Sequence, residues 1–303
     1  MPDVFVASTR QRFGPGSFGA TYLLDPQLFA SFVTRRGLVF DTRFVPGRAG
    51  RSEDVLLYLV VDGTFAHLGS PLARWVGPTL VVLDEDQFEG AGGAAGLPLR
   101  SWGDPFRVVE LRVGREVLGP AALAARPFAL PVGAEVWERA RSALALAEGG
   151  GRVDAVLGGL LEALAAEGVV SRDLAGALTA EDARFSRLWA AARPAAEAFD
   201  LITSLDAIAL GAGLSLRHIT REVKDFASAL RVPFWGWRES TRRLRIKVAV
   251  LGLSAPSLPI AECAKIAGYG SVEAMARAFR DASLEAPSRV RQRLVEGLAD
   301  SPG

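Results

Sequence analysis

The sequence predicts an α+β, multidomain chain. Its first third reads as a β-sandwich or small barrel. A helical linker follows, then an all-α C-terminal domain in which two helix-turn-helix units are joined by a long helix. Three observations predict this. Short β-branched and aromatic runs, punctuated by Gly and Pro, fill the first third. The middle is rich in Ala and Leu at helical spacing. A pattern of apolar helix, Gly, Ser and second helix then occurs twice, with Gly213 and Gly268 standing 55 residues apart. A chain of 303 residues is long enough for two or three domains. The boundaries fall at residues 1–115, 116–178 and 179–303.

In the first domain, DVLLYLVVDGTFAHLG (Asp54–Gly69) holds two β-rich runs around Asp62-Gly63, which predicts a hairpin. Val55–Val61 is apolar without alternation, as expected of a strand between two layers. Further strands are predicted over 37–45, 79–85 and 106–113. The Gly-rich EGAGGAAGLP (89–98) is a loop and not a phosphate cradle.

The middle domain holds VGAEVWERARSALALAEGGG, a helix stopped by glycines. RVDAVLGGLLEALAAEG comes next and sets Val153, Val156, Leu157, Leu160, Leu161 and Leu164 on one helical face. The two segments suit a helical hairpin, packed on the β domain or against a second subunit. TAED (Thr179–Asp182) has capping-box spacing and opens the third domain.

In the third domain the first unit has an apolar helix over Leu205–Leu210, then Gly213 and Ser215. The second has Ile260–Ile266, then Gly268 and Ser271. Between them runs RESTRRLRIKVAVLGLSAP, a helix with Leu244, Val248 and Leu251 on one face. Arg242, Arg243, Arg245 and Lys247 surround it, and Pro256 and Pro259 end it.

Charge is unevenly spread. Of 35 Lys and Arg and 34 Asp and Glu, residues 201–303 hold 15 basic and 10 acidic, leaving 20 basic and 24 acidic in the rest. A polyanionic partner suits the basic tail. Only three lysines occur, so the basic residues are mainly arginines, which suit bidentate recognition of phosphate or guanine. A GC-rich genome explains the same bias. Cys263 is the only cysteine, which excludes an intrachain disulfide and fits a reducing cytoplasm. The N-terminus lacks the apolar core of a signal peptide, and no apolar run is long enough to span a membrane.

A helix-turn-helix braces its second helix so that the N-terminal residues can enter the DNA major groove. Two copies joined by a basic helix are a more specific signal than one. With IAECAKIAGYGS, ARAFR and APSRVR in the second unit, and RLRIKVAVLGLSAPSLPIAECA leading into it, residues 180–293 resemble the AraC/XylS family of bacterial transcription regulators. The N-terminal third is similar to that family's cupin-type sensing domain in element order and position. RWVGPTLVVLDED resembles a strand the family writes as Gly-x-(Gly/Pro)-x-Leu-x-Leu. The chain departs from the family pattern at Met275 and Ala274, where aromatics are usual, at Leu284, where Gly is usual, and at Ala286, where Thr is frequent.

The candidate DNA contacts come from helix position. In the first recognition helix they are Ser215 as N-cap, then Arg217, His218, Thr220 and Arg221. Arg217 and Arg221 share a face, and Arg can donate two hydrogen bonds to guanine. A solvated basic face is the alternative. In the second unit they are Ser271, Glu273, Arg277 and Arg280. Glu273 accepts from cytosine in one reading and only complements the helix N-terminus in the other. Val272 and Ala274 suit thymine methyls. Arg242, Arg243 and Lys247 reach backbone phosphate or stay as surface charges. The first unit would read most of the sequence and the second would position the protein. In such a reader the two helices enter successive major-groove turns about 34 Å apart.

Cys263 is expected in the core. His67 is the only histidine of the β domain, too few to build a transition-metal site. No nucleophile elbow, phosphate loop or dinucleotide fingerprint is present, and no cofactor is expected. Phe40, Tyr58, Trp75 and Trp102 are candidate ligand-pocket walls, with core packing as the alternative. The expectation is a cytoplasmic regulator and not an enzyme. It would bind double-stranded DNA as a homodimer, take a small-molecule effector in its N-terminal domain, and engage RNA polymerase if an activator, which the resemblance favours. The rivals are a protein-interaction module with degenerate helix-turn-helix units and an enzyme with an appended DNA-binding domain.

Overall fold

The computed structural model describes residues 5–46, 54–68, 73–84, 98–124, 129–176, 185–197, 203–232, 234 and 236–299. The glycines of 89–97 and the TAED segment lie outside the described residues, and with them the loop and the helix start expected there.

The chain opens with three strands that the β-rich runs do not single out: β1 (Phe5–Phe13), β2 (Gly16–Leu24) and β3 (Leu28–Arg36). They pair as an antiparallel meander, with Phe5 opposite Leu24 and Ser17 opposite Arg36. Then come β4 (Phe40–Asp41), β5 (Asp54–His67), β6 (Ala73–Val76), β7 (Thr79–Asp84), β8 (Leu99–Gly114) and β9 (Ala129–Leu130). All join one nine-stranded sheet in the order β1-β2-β3-β8-β5-β7-β9, with β4 on β8 and β6 on β5. A sandwich of two separate sheets is therefore not what forms. One sheet buries both faces instead: Leu57 and Leu59 on one side, Leu56, Tyr58 and Val60 on the other.

Two expectations are corrected. Asp62-Gly63 makes no hairpin; β5 runs straight through it, with register shifts against β8 between Val60 and Thr64. Gly63 adopts φ +88°, and a Cβ there would sit 2.7 Å from the Trp102 carbonyl oxygen. The glycine thus serves a bulge and a close backbone approach. The run 37–45 forms only the two-residue β4 and a short 3-10 turn, Thr42–Phe44, capped by the Asp41 carboxylate.

Helices α1 (Pro120–Ala124), α2 (Ala134–Gly149), α3 (Asp154–Ala166) and α4 (Arg172–Gly176) cover the sheet. Val136, Ala140, Leu144, Leu157, Leu160, Leu161 and Leu164 share one core with Leu57, Leu59, Leu80 and Leu111. The helical hairpin is therefore packed on the β domain. Gly150 ends α2 in the left-handed region, as the glycine run implies.

The C-terminal part comprises α5 (Ser186–Glu197), α6 (Leu205–Ala212), α7 (Leu216–Ala229), α8 (Trp237–Leu253), α9 (Ile260–Ile266), α10 (Val272–Asp281) and α11 (Pro287–Ala299). The pairs α6–α7 and α9–α10 are each two helices joined by a short turn, and α8 lies between the pairs. On α8 Val248 and Leu251 are buried, but Leu244 is exposed; Ile246, Ala249 and Val250 complete the inward face instead. Leu244, one heptad before Leu251, shares its helical face but stands N-terminal to the stretch, from Ile246 onward, that the core packs against.

Both units are fastened to the β domain. Phe13, Leu38, Val39 and Phe44 belong to the same core as Val248, Leu251, Cys263, Met275 and Phe279. The Val39 amide donates to Ser254 Oγ at 3.0 Å, and Arg100 donates to the Leu294 carbonyl at 3.2 Å. On the first unit's side, Phe5 meets Trp189 and Phe226, each with ring centroids 5.5 Å apart. Arg231, held at φ +54°, pairs with Asp54 at 2.7 Å and Glu116 at 2.9 Å. Its own carbonyl accepts from Arg112 at 3.4 Å.

Candidate nucleic-acid interface

The first unit is built by local chemistry. Ser204 caps α6 by accepting from the Ala207 amide, and Gly213 stops it at φ +66°, a left-handed conformation that a side chain would strain. Ser215 is then the N-cap of α7, its hydroxyl accepting from the His218 amide at 3.3 Å. Ile219, Val223 and Ala227 face inward, Ile219 and Val223 onto Ile208 and Leu188, which fixes the helix's rotation. The opposite face is left to solvent.

That outer face carries Arg217, His218, Thr220 and Arg221, all exposed, as the sequence predicts. Thr220 bonds back to the Leu216 carbonyl at 2.7 Å, so its hydroxyl hydrogen is already used. Lys224 is exposed too. It is not among the expected contacts, although its spacing of seven from Arg217 and three from Arg221 places it on their stripe. Among the described residues no acidic group pairs with Arg217, Arg221 or Lys224. The stripe is an uncompensated cationic ridge that begins in the first turn of α7, a surface that suits phosphate and guanine.

The second unit repeats the plan with different side chains. Ser271 caps α10 by accepting from the Ala274 amide at 3.1 Å. Met275 and Phe279 are fully buried and anchor the helix in the core. The flexible thioether of Met275 suits it to an irregular core site. Arg277 and Arg280 are exposed, and Glu273 is exposed in the first turn. The Glu273 amide and Ser271 hold the Glu273 carboxyl below its usual range, with Arg277 adding to the effect. The carboxylate thus has an intrahelical role already. The left-handed residue after α10 is Ser283, at φ +58°, and not Leu284. The Ser283 amide reaches the Arg280 carbonyl and the Leu284 amide reaches the Phe279 carbonyl, closing the helix end.

On α8, Arg242 and Arg243 are both half-buried and both bonded to Glu239, at 2.8 and 2.7 Å. The Arg242 hydrogen bond, opposed by partial burial and helped by Arg243, keeps the Glu239 carboxyl low. These arginines are tied to an acid of their own helix, so they are less available to phosphate than the α7 stripe. Lys247 is half-buried on the same helix.

Other expectations resolve as packing. Cys263 is buried, its thiol pushed up by desolvation, and Arg291 donates to its Sγ at 3.3 Å and to the Leu258 carbonyl at 2.6 Å. Arg291 is the arginine of the PSRVR ending, and it ties α11 to the turn before α9. Tyr58 and Trp75 stack on Phe65, while Phe40 and Trp102 pack beside the second unit's core. Arg35 is buried over Phe106 and donates to Ser101 Oγ at 2.6 Å; burial pulls its guanidinium down to about 9. Among the described residues no cluster of His, Cys, Asp and Glu could hold a metal ion, and no helix is long and apolar enough to cross a membrane.

No protein-family model matches the chain, and no curated protein matches it. Among solved structures it is similar to ToxT from Vibrio cholerae O395, at 10% identity and a TM-score of 0.35 over 95% of this chain and 97% of that one. It is similar to ToxT of strain SCE256 bound to an unsaturated fatty acid, at 11% identity and 0.33 over 88% and 96%. The AraC-like transcriptional activator CuxR matches at 12% identity and 0.30 over 80% and 85%. Superpositions this loose carry no argument about what the chain does.

Proposed function

We propose that the chain is a sequence-specific, ligand-responsive DNA-binding regulator of transcription of the AraC/XylS type. The observation that carries this is the exposed, uncompensated Arg217–Arg221–Lys224 stripe on a capped helix, braced by a glycine-stopped partner and followed by a second unit of the same build. In this reading α7 supplies base and phosphate contacts. Arg277 and Arg280 of α10 chiefly contact phosphates, and α8 with the β domain sets the spacing of the two helices. The β domain would take the effector. ToxT has been solved with an unsaturated fatty acid and CuxR is named an activator; a small-molecule effector and an activating role are carried here as part of the proposal.

The test is selection of random-sequence duplex DNA by the full chain at two salt concentrations. One enriched motif spanning two major-groove segments supports the reading. Binding without a motif, or none at either salt with and without candidate effectors, refutes it. A second reading, a protein-interaction module, has one observation in its favour: Leu210 and Leu216, 83% and 49% exposed, flank the turn of the first unit. It predicts no salt-dependent DNA retention.

A further inference from the structure

A cavity of about 270 Å³ opens on the face of β1–β3 that also carries the C-terminal end of α2. Its floor is set by register. Gly19 of β2 lies between Arg10 and Thr34, and Ser17 lies between Arg12 and Arg36. Small residues on the middle strand and long ones on its neighbours make a valley two strand spacings, or about 10 Å, across. Gly19 keeps it open: a Cβ there would meet only Arg10 Cγ, at 3.9 Å.

The polar groups of the valley are unequally committed. Arg10 donates to the carbonyls of Ala147 and Glu148, the negative end of α2. Glu148, the acid of the lining, accepts from Thr34 at 2.7 Å. Ser8 and Thr21 bond each other at 2.9 Å. Arg12 and Arg36 are exposed on opposite walls, and among the described residues neither has an acidic partner. Two exposed arginines aligned by register across a small-residue floor suit negative charge at both ends of one molecule. The volume sits just below the range of about 300–1,000 Å³ typical of ligand pockets, which restricts the occupant to a small metabolite.

The valley has a mechanical connection. Arg12 is followed directly by Phe13, the end of β1, and Phe13 is buried in the second unit's core. Gly14, next in the chain, lies against Ser257 and Leu258, in the turn between α8 and α9.

We propose that this cavity binds a small molecule carrying two phosphate or carboxylate groups, held between Arg12 and Arg36, and that its occupancy is transmitted to the second helix-turn-helix unit through Phe13. The binding site stands on the cavity alone; the transmission rests on the proposed DNA-binding function.

The experiment is titration calorimetry of the full chain with inorganic pyrophosphate and with citrate, at fixed ionic strength, with acetate as the singly charged control. Saturable binding of either probe is expected, weakened at least tenfold in Arg12→Gln/Arg36→Gln and in Gly19→Leu, which fills the floor against Arg10 without removing a charge. Both variants alter exposed or open positions, so circular dichroism should match the parent. No saturable binding, or equal binding by the variants, overturns the site. Competition between the probes and a motif-free duplex would assign the cradle to DNA phosphate and overturn the small-molecule proposal. With a duplex enriched by selection, saturating probe should shift affinity about fivefold or more in the parent and not in the double variant. A bound probe with unchanged DNA affinity overturns the transmission. A chain that binds the probe but no DNA under any condition refutes the regulator reading and leaves the anion site intact.

Discussion

Phe13 is the residue whose removal tests the architecture most directly. It is fully buried, and its surroundings include Leu38 of its own domain and the α8 backbone of the other. Gly252 marks the contact: a Cβ there would lie 3.2 Å from Phe13 Cδ1 and 3.3 Å from Cys263 Sγ. Phe13→Ala deletes a full aromatic ring from a packed site, which costs about 3–5 kcal/mol. That is a large share of the roughly 5–15 kcal/mol by which domains are stable. Gly252→Ala has two opposed terms. Replacing a glycine in the last turn of a helix gains at most about 1 kcal/mol, and crowding the ring costs about 1–3 kcal/mol, so a net loss of about 0–3 kcal/mol is expected. Phe13→Leu opens the space that the new methyl group needs. Combined with Gly252→Ala it should lose less than the two single changes together, by about 0.5–2 kcal/mol. Denaturant unfolding monitored by tryptophan fluorescence measures all four states of the cycle. Additivity within about 0.5 kcal/mol would refute the reasoning, because it would mean that ring and helix do not touch.

Other sites give further expected outcomes. Arg217→Ala should weaken binding to a selected duplex by about 1–3 kcal/mol and relax preference at one base, while Glu273→Ala leaves the preference unchanged; selection repeated on each variant decides both. Lys224→Ala should lower affinity evenly across sequences and reduce the slope of log K against log salt by about 1. Ser215→Ala removes an N-cap and should cost about 1 kcal/mol in thermal unfolding. Glu239 has its folded pKa lowered by Arg242, so its contribution is present above the unfolded carboxylate range and fades as pH falls through the folded value. Glu239→Gln should flatten that acid limb by less than about 1 kcal/mol, the pair being partly exposed. It also removes the carboxylate that holds Arg242, so the salt slope of DNA binding should steepen.

The C-terminal units were legible because their signals are local. Gly213, Ser215 and Ser271 act within one or two turns of where they stand, and caps and glycine stops need no distant partner. The β domain was less so. Asp62-Gly63 has the composition of a hairpin turn, yet the close approach of Trp102 and Phe106 decides its conformation, and neither is near in sequence. β1 and β2 mix polar with apolar residues around a tight glycine turn, a weaker signal than the apolar run of β5. Leu244 has the right spacing for the core but lies beyond the reach of the packed face. The Lys224 position on the α7 stripe was available from helical spacing alone. The Arg12–Ser17–Arg36 alignment depends on strand register, which only the pairing of three strands fixes.

The division of the chain by sequence and its division by packing are different lines. Phe13 is encoded near the start of the β domain and lies inside the core of the C-terminal helices. Anyone building a chimera, with these C-terminal helices fused to a foreign N-terminal domain, will inherit a socket around Gly252 with nothing to fill it. The graft boundary that preserves the C-terminal helices is discontinuous: α5 onward, together with the β1–β2 hairpin tip, Phe13–Gly16, carried over as a separate insert.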